Sequence, residues 1–304
     1  MTIFQEYDQQ LEPIFDRLAN IWGEKNKPYT TLREFLMYSA PSMALRGNVE
    51  LSRISDILTL NEKRSVKLGV EKNFRTDDLI SYISPLLSDN AVFYDMMLKV
   101  YETALQRSAG KGELLVSLLS TDAQKAKKHG DINIDGKNVE LKSDTGTIHQ
   151  KEENKWRVND KLVRDTYNLT ASEVKEKYKS YHPLPTILSD GKQAREFYSK
   201  VYRNWSDEKL DIIEATWNDT ECPDQRSMEI GYLVLLDYIE HKNIDSLLLT
   251  RLRDGKISAV HINDFSDKEF IFANITLKPQ KMRGGSTEAR PDGLVNIGVK
   301  KSTL

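Results

Sequence analysis

Asp135-Gly136 constrains the folding of this chain more than any other dipeptide in it. It separates two short runs, Asp131-Ile-Asn-Ile134 and Lys137-Asn-Val-Glu-Leu-Lys142. An Asp-Gly pair readily takes the left-handed backbone of a tight two-residue turn, so the two runs are expected to fold back as hairpin strands. Asp254-Gly255 repeats the signal between Ser246-Leu-Leu-Leu-Thr-Arg-Leu252, which reads as a buried strand, and Lys256-Ile-Ser-Ala-Val-His-Ile262. Phe270-Ile-Phe-Ala-Asn-Ile-Thr-Leu277 reads as one more strand.

The first hundred residues follow a different period. Leu11, Ile14, Phe15, Leu18 and Ile21 recur at helical spacing, as do Leu32, Phe35, Leu36 and Tyr38 less strictly. Thr31 and Glu34 have the spacing of a capping box. Thr76-Asp77-Asp78 is expected to open a helix through Leu79, Ile80, Tyr82 and Ile83 that stops near Pro85. Asn90 to Arg107 carries the apolar stripe Val92, Phe93, Met96, Met97, Val100, Tyr101 and Leu105, which suits a core-facing helix. After Gly146 the pattern turns polar and helical over Lys151–Lys179, with Thr170 to Glu173 as a second capping box. Asp190-Gly191 begins another helix to about Trp205, and Glu229–Glu240 reads as an apolar helix. The fold class expected is α/β (α+β), a mixed sheet core flanked by helices. Its expected division is a helical N-terminal lobe over 1–100 and a second domain over 101–304, with a mostly helical insertion at about 150–225.

Composition excludes several chemistries. A chain of 304 residues that is 39% hydrophobic and 30% charged has material for a large core and a well-hydrated surface. Its formal charge of -2 gives no global basic field, so contact with nucleic acid must come from local patches. One cysteine, Cys222, rules out an internal disulfide and a cysteine-rich zinc site, and is expected to be a partly buried free thiol. The acidic start lacks a basic region followed by an apolar core, and no apolar run approaches the ~20 residues of a membrane span. The expectation is therefore an intracellular, cytoplasmic protein with no membrane partner. No phosphate-binding Gly-x-x-x-x-Gly-Lys-Ser/Thr loop is present, so no built-in NTP motor is expected.

The chemistry concentrates in Gly110–Asp144. On a strand, Glu140 and Lys142 lie two apart and share a face, with Leu141 turned the other way. A tight turn at Asp135-Gly136 sets the two strands ~5 Å apart, which brings Asp131 next to Glu140 or Lys142. An acid pair there, with the backbone carbonyl of Leu141, offers hard oxygen ligands suited to Mg²⁺ or Mn²⁺. Lys142 would stand beside the metal-bound water, where it can orient that water and stabilise charge developing on a phosphorane. Glu113 opens the apolar segment Leu114, Leu115, Val116, Leu118, Leu119, and can reach a metal from the opposite side. Gly110 and Gly112 let the backbone pass close to a substrate or metal.

Glu113, then Gly130-Asp131-Ile132, then Glu140-Leu141-Lys142 resembles the PD-(D/E)XK nuclease superfamily, the restriction-endonuclease-like fold. The match is confined to Gly110–Asp144, with Leu247–Leu252 as a later core strand. The resemblance implies that Asp131 and Glu140 are metal ligands, that Lys142 is the catalytic lysine, and that Glu113 is the helix acid that helps to bind metal. It implies an Mg²⁺-dependent endonuclease, with Mn²⁺ as a substitute, hydrolysing phosphodiester bonds by attack of an activated water. Gly130 departs from the family proline before the acidic residue, a common variation in that superfamily.

DNA is the expected partner, and RNA is the alternative because the metal chemistry is indifferent to the sugar. A catalytically inactive nucleic-acid- or protein-binding module on the same fold is the other alternative. Enzymes of this kind pair to cut both strands, so a homodimer is compatible. Lys125, Lys127 and Lys128, with His129, precede Asp131 closely, and Lys281 and Arg283, with Arg290, form a second basic stretch. Both runs are candidates for phosphate contact. His149 and the Lys151, Lys155, Trp156, Arg157 group are weaker candidates, and His261, in an alternating strand, reads as structural.

Overall fold

The computed structural model describes residues 3–126, 129–144, 146–148, 188, 190–202, 205–279 and 295–301. The chain forms two compact units. The first takes 1–144, 243–274 and 298–304; the second takes 145–242 and 275–297. The boundary expected at about residue 100 falls inside the first unit, because the N-terminal helices and the hairpin strands bury their apolar side chains in one cluster. Leu11, Leu18, Leu115, Ile132, Val139 and Leu248 all belong to it.

A mixed six-stranded sheet organises the first unit. In chain order its strands are β1 (Phe74–Thr76), β2 (Ala123–Lys125), β3 (Ile132–Ile134), β4 (Lys137–Ser143), β6 (Ser246–Arg253) and β7 (Lys256–Ile262). Their order across the sheet is β1-β7-β6-β4-β3-β2. Only β4 and β6 pair in parallel, with Glu140 opposite Leu247 and Lys142 opposite Leu249. Both Asp-Gly turns form as expected: Asp135 and Gly136 have φ of 50° and 82°, Asp254 and Gly255 of 50° and 74°. Positive φ at both central residues twists the connection the way flanking strands twist.

Helices flank this sheet. The stripe from Leu11 to Ile21 is the buried face of the helix Ile3–Trp22. Asp78 caps Leu79–Ile83 by accepting from Ser81 N, and Asn90 caps Ala91–Glu102 by accepting from Val92 N at 2.9 Å. The helix over Lys27–Glu34 begins at Asn26 with Pro28 in its first turn, so Thr31 lies inside it and does not cap. Pro28 has no N–H to satisfy, which makes the earlier start the better one.

The second unit has helices Gly191–Val201, Asp207–Asp219 and Pro223–Lys242. It also has a small sheet ordered β5-β9-β8, from β5 (Gly146–Ile148), β8 (Ile275–Pro279) and β9 (Val295–Val299). Three sequence expectations fail here. The chain directly after Gly146 is strand, and Phe270–Leu277 is split into the helix Lys268–Asn274 and the strand β8. Asp267 explains the split, because its carboxylate accepts from Phe270 N at 3.0 Å and its carbonyl accepts from Ile271 N. That cap starts a helix where side-chain pattern alone suggests a strand. Cys222 is exposed, not partly buried. The polar helix over Lys151–Lys179 and the cap at Thr170 lie outside the described residues. Among the described residues no helix is long and apolar enough to cross a membrane.

One contact ties the N-terminal helix to the rest of the first unit. Arg17 reaches the end of the helix Glu113–Leu119 and donates to the carbonyls of Ser117, Leu118 and Ser120 at 2.5–3.2 Å. Its Nε meets Glu62 Oε1 at 2.7 Å. A planar guanidinium suits this task, since its fork satisfies several terminal carbonyls at once and its charge complements the helix C-terminus. Arg17→Ala is expected to lower stability by about 2–3 kcal/mol in urea unfolding, because it removes the donor that those carbonyls and Glu62 share. Arg17→Lys is expected to recover less than half of that loss, and full recovery would contradict the fork geometry.

Candidate active site

The β3–β4 hairpin sets the position of three of the four residues picked out by spacing. Ile132 lies opposite Val139 at the start of β3, and Asp131 directly precedes that pair. Asp131 N donates to the Val139 carbonyl at 2.9 Å, and Leu141 N donates to Asp131 Oδ2 at 2.7 Å. Strand alternation then turns Glu140 and Lys142 to one face and buries Leu141 on the other. Lys142 Nζ meets Glu140 Oε1 at 2.5 Å, and both side chains are mostly buried, 22% and 8% exposed.

Gly130 is required by the backbone. Its φ is +74°, and a Cβ there would lie 2.9 Å from the Val139 carbonyl oxygen. Proline, fixed near φ −65°, cannot adopt that conformation. Glycine in place of proline is therefore built into this entry to β3.

Glu113 arrives from the helix side. The six residues after it, Leu114 to Leu119, are all buried, so their packing fixes where the first turn ends up. Gly112 enters that helix at φ +86°, and its N–H donates to the Tyr101 carbonyl at 3.1 Å. A Cβ on Gly112 would press on the Tyr101 ring at 3.1 Å, while Tyr101 Oη donates to Thr250 Oγ1. Gly110 N donates to Glu113 Oε1 at 2.7 Å.

Burial, and next the negative charge of Asp131, push the Glu113 carboxyl up to about 7. The Gly110 N–H and the Lys142 charge pull the other way, and Glu140 adds to the rise. All four predicted residues therefore lie within one electrostatic neighbourhood.

Two neighbours carry no motif of their own. Lys111 Nζ lies 3.2 Å from Asp144 Oδ2, at the end of β4. Asp144 also accepts from Leu252 N at 3.3 Å and donates its own N–H to the Thr250 carbonyl at 2.8 Å. The signal for them was their spacing, two residues before Glu113 and two after Lys142.

Among the described residues, Lys125 and His261 do not join the site. Lys125 is exposed on β2 opposite Ile132, hence on the face of Ile132 and Val139 and not that of Glu140 and Lys142. Lys127, Lys128, Lys281, Arg283 and Arg290 lie outside the described residues, as do His149, Lys151, Lys155, Trp156 and Arg157. His261 is buried in β7, stacked on Phe74, with Nδ1 3.0 Å from the Lys72 carbonyl. Burial holds it down to about 4, so it is a neutral core histidine at ordinary pH.

Three carboxylates and a backbone carbonyl make a donor set of hard oxygens, the kind Mg²⁺ prefers. Burial first, and then the charge of Asp131, disfavours the ionised form of Glu113, a condition a divalent cation relieves, so the residues fit such an ion in their chemistry. As they stand they are engaged with the protein: Glu140 with Lys142, Asp131 with Leu141 N, and Glu113 with Gly110 N. Among the described residues no group of three or more His, Cys, Asp or Glu is placed to hold a metal ion. No family model, no curated protein and no solved structure matches this chain.

The raised Glu113 value has a consequence for stability. Glu113 holds its proton more tightly when folded, at about 7, than at the usual 4.5. Between those values the folded state binds more protons, so stability falls as pH rises and the loss is complete above the folded value. Glu113→Gln cannot ionise. In EDTA the stability of the variant relative to wild type is expected to improve steadily from about pH 4 to about pH 8, read from urea midpoints. A constant difference across that range would contradict the assignment.

Proposed function

We propose that this chain is a metal-dependent nuclease of the PD-(D/E)XK type, hydrolysing phosphodiester bonds in DNA. The observation that carries the reading is the shared electrostatics of Glu113, Asp131, Glu140 and Lys142, residues up to 29 positions apart in the chain. Support also comes from the scaffold around them. A mixed sheet flanked by helices has Asp131 just before one hairpin strand and Glu140 and Lys142 on the next.

Asp131, Glu140 and the Leu141 carbonyl would hold Mg²⁺, with Glu113 from the helix side. Such an ion supplies charge neutralisation at the phosphate and a lowered pKa for attacking water. The chain's own residues do the rest. Lys142, held by Glu140 and mostly buried, offers a cation whose field is little screened by solvent. Aimed at a non-bridging oxygen, it stabilises negative charge as the phosphorus becomes five-coordinate. Glu113, half protonated near neutral pH, can hold or release a proton at its carboxylate within the pH range where the enzyme would work.

A non-catalytic nucleic-acid-binding module on the same scaffold is the second reading. The direct Lys142–Glu140 pair and the lack of a ready-made group of metal-holding side chains among the described residues favour it. A panel of single- and double-stranded DNA and RNA, incubated with Mg²⁺ or Mn²⁺, separates the two and also tests the sugar. The nuclease reading predicts cleavage of DNA, with kcat reduced by about 10²–10³ or more in Asp131→Ala, Glu140→Ala and Lys142→Ala. Cleavage undiminished in all three variants would remove the assignment, and no cleavage of any substrate by wild type would leave the binding module.

A further inference from the structure

Four carboxylates border this site, Glu113, Asp131, Glu140 and Asp144, and Lys111 and Lys142 pair with two of them. A nucleic-acid strand approaching it brings more negative charge. Lys142 is 22% exposed and bound to the nearly buried Glu140, so its reach toward solvent is short. Lys111 differs in each respect. Its side chain is 40% exposed, and it sits between Gly110 and Gly112. Its partner, Asp144, is 34% exposed.

An ion pair that open to solvent contributes little, about 0–1 kcal/mol, so Lys111 can exchange Asp144 for another anion at small cost. Asp144 would not be stranded by the exchange. Its Oδ1 accepts from Leu252 N and its N–H donates to the Thr250 carbonyl, contacts that do not involve Lys111. The pair therefore has a fixed acid and a movable cation.

We infer that Lys111 is a phosphate-binding residue, which leaves Asp144 to grip a backbone phosphate beside the one that is cut. This rests on the nuclease reading given above and names its substrate more closely: a strand with consecutive phosphates rather than an isolated phosphodiester. Asp144 acts as the resting partner that keeps the lysine folded over the site until a strand arrives.

Equilibrium binding of a fluorescein-labelled oligonucleotide, with Ca²⁺ in place of Mg²⁺ so that cleavage does not intrude, tests this at several salt concentrations. Lys111→Ala is expected to weaken Kd about tenfold and to reduce the slope of log K against log salt by about 0.9, the release accompanying one phosphate contact. Lys111→Arg is expected to keep the wild-type slope. Asp144→Asn retains an acceptor for Leu252 N but loses the charge, and is expected to tighten binding a few-fold. That opposite sign protects the test against a variant that merely folds badly. An unchanged slope in Lys111→Ala, or weaker binding in Asp144→Asn, overturns the role of Lys111 while leaving the nuclease reading intact. A wild type that binds no oligonucleotide overturns both.

Discussion

The site depends on a short helix that is packed too well to move away from its own charges. Glu113–Leu119 buries every residue after Glu113, and Arg17 pins its far end through three carbonyls. Glu113 is therefore held among Asp131 and Glu140 whether or not their charges suit it. Raising a carboxyl from 4.5 to about 7 corresponds to roughly 3 kcal/mol of penalty for its charged form. Burying one leucine contributes about 1.5–3 kcal/mol, and this helix buries four of them. Packing wins, and the burial it imposes, with the nearby charge of Asp131, survives as a raised pKa.

The other three residues are fixed by backbone pairing. Two residues of positive φ close the hairpin, hydrogen bonds to Val139 and Leu141 then hold Asp131, and strand alternation puts Lys142 on the face of Glu140. Gly130 lets the chain enter β3 so close to Val139 that no side chain fits. Apolar packing and main-chain hydrogen bonds thus assemble a cluster that would not gather by its own electrostatics.

Much of this was legible in the residues. The Asp-Gly turns and the alternation around them specify local geometry, so the hairpin, its face assignment and the β6–β7 turn could be read directly. Helical stripes such as Leu11 to Ile21 were equally plain. What failed depended on distant partners or on caps. Lys125 looked close to the acids along the chain, but pairing with Ile132 turns it to the other face. The helix at Lys268–Asn274 follows from the Asp267 cap, which overrides a β-like composition. Strands as short as β1 and β5, three residues each, carry no periodicity to detect. The Lys111–Asp144 pair joins residues 33 apart, and only their closeness along the chain to Glu113 and Lys142 hints at it.

On the proposed reading a divalent cation would relieve what burial and neighbouring charge impose on these carboxylates. Calorimetric titration of wild type and Glu140→Gln with Mn²⁺ a little below pH 7, in two buffers of different ionisation enthalpy, tests that most directly. The account predicts saturable binding by wild type with release of part of a proton, as Glu113 loses the one it holds near 7, and a large loss of affinity in Glu140→Gln. No binding by wild type, or binding that the substitution leaves untouched, would contradict it.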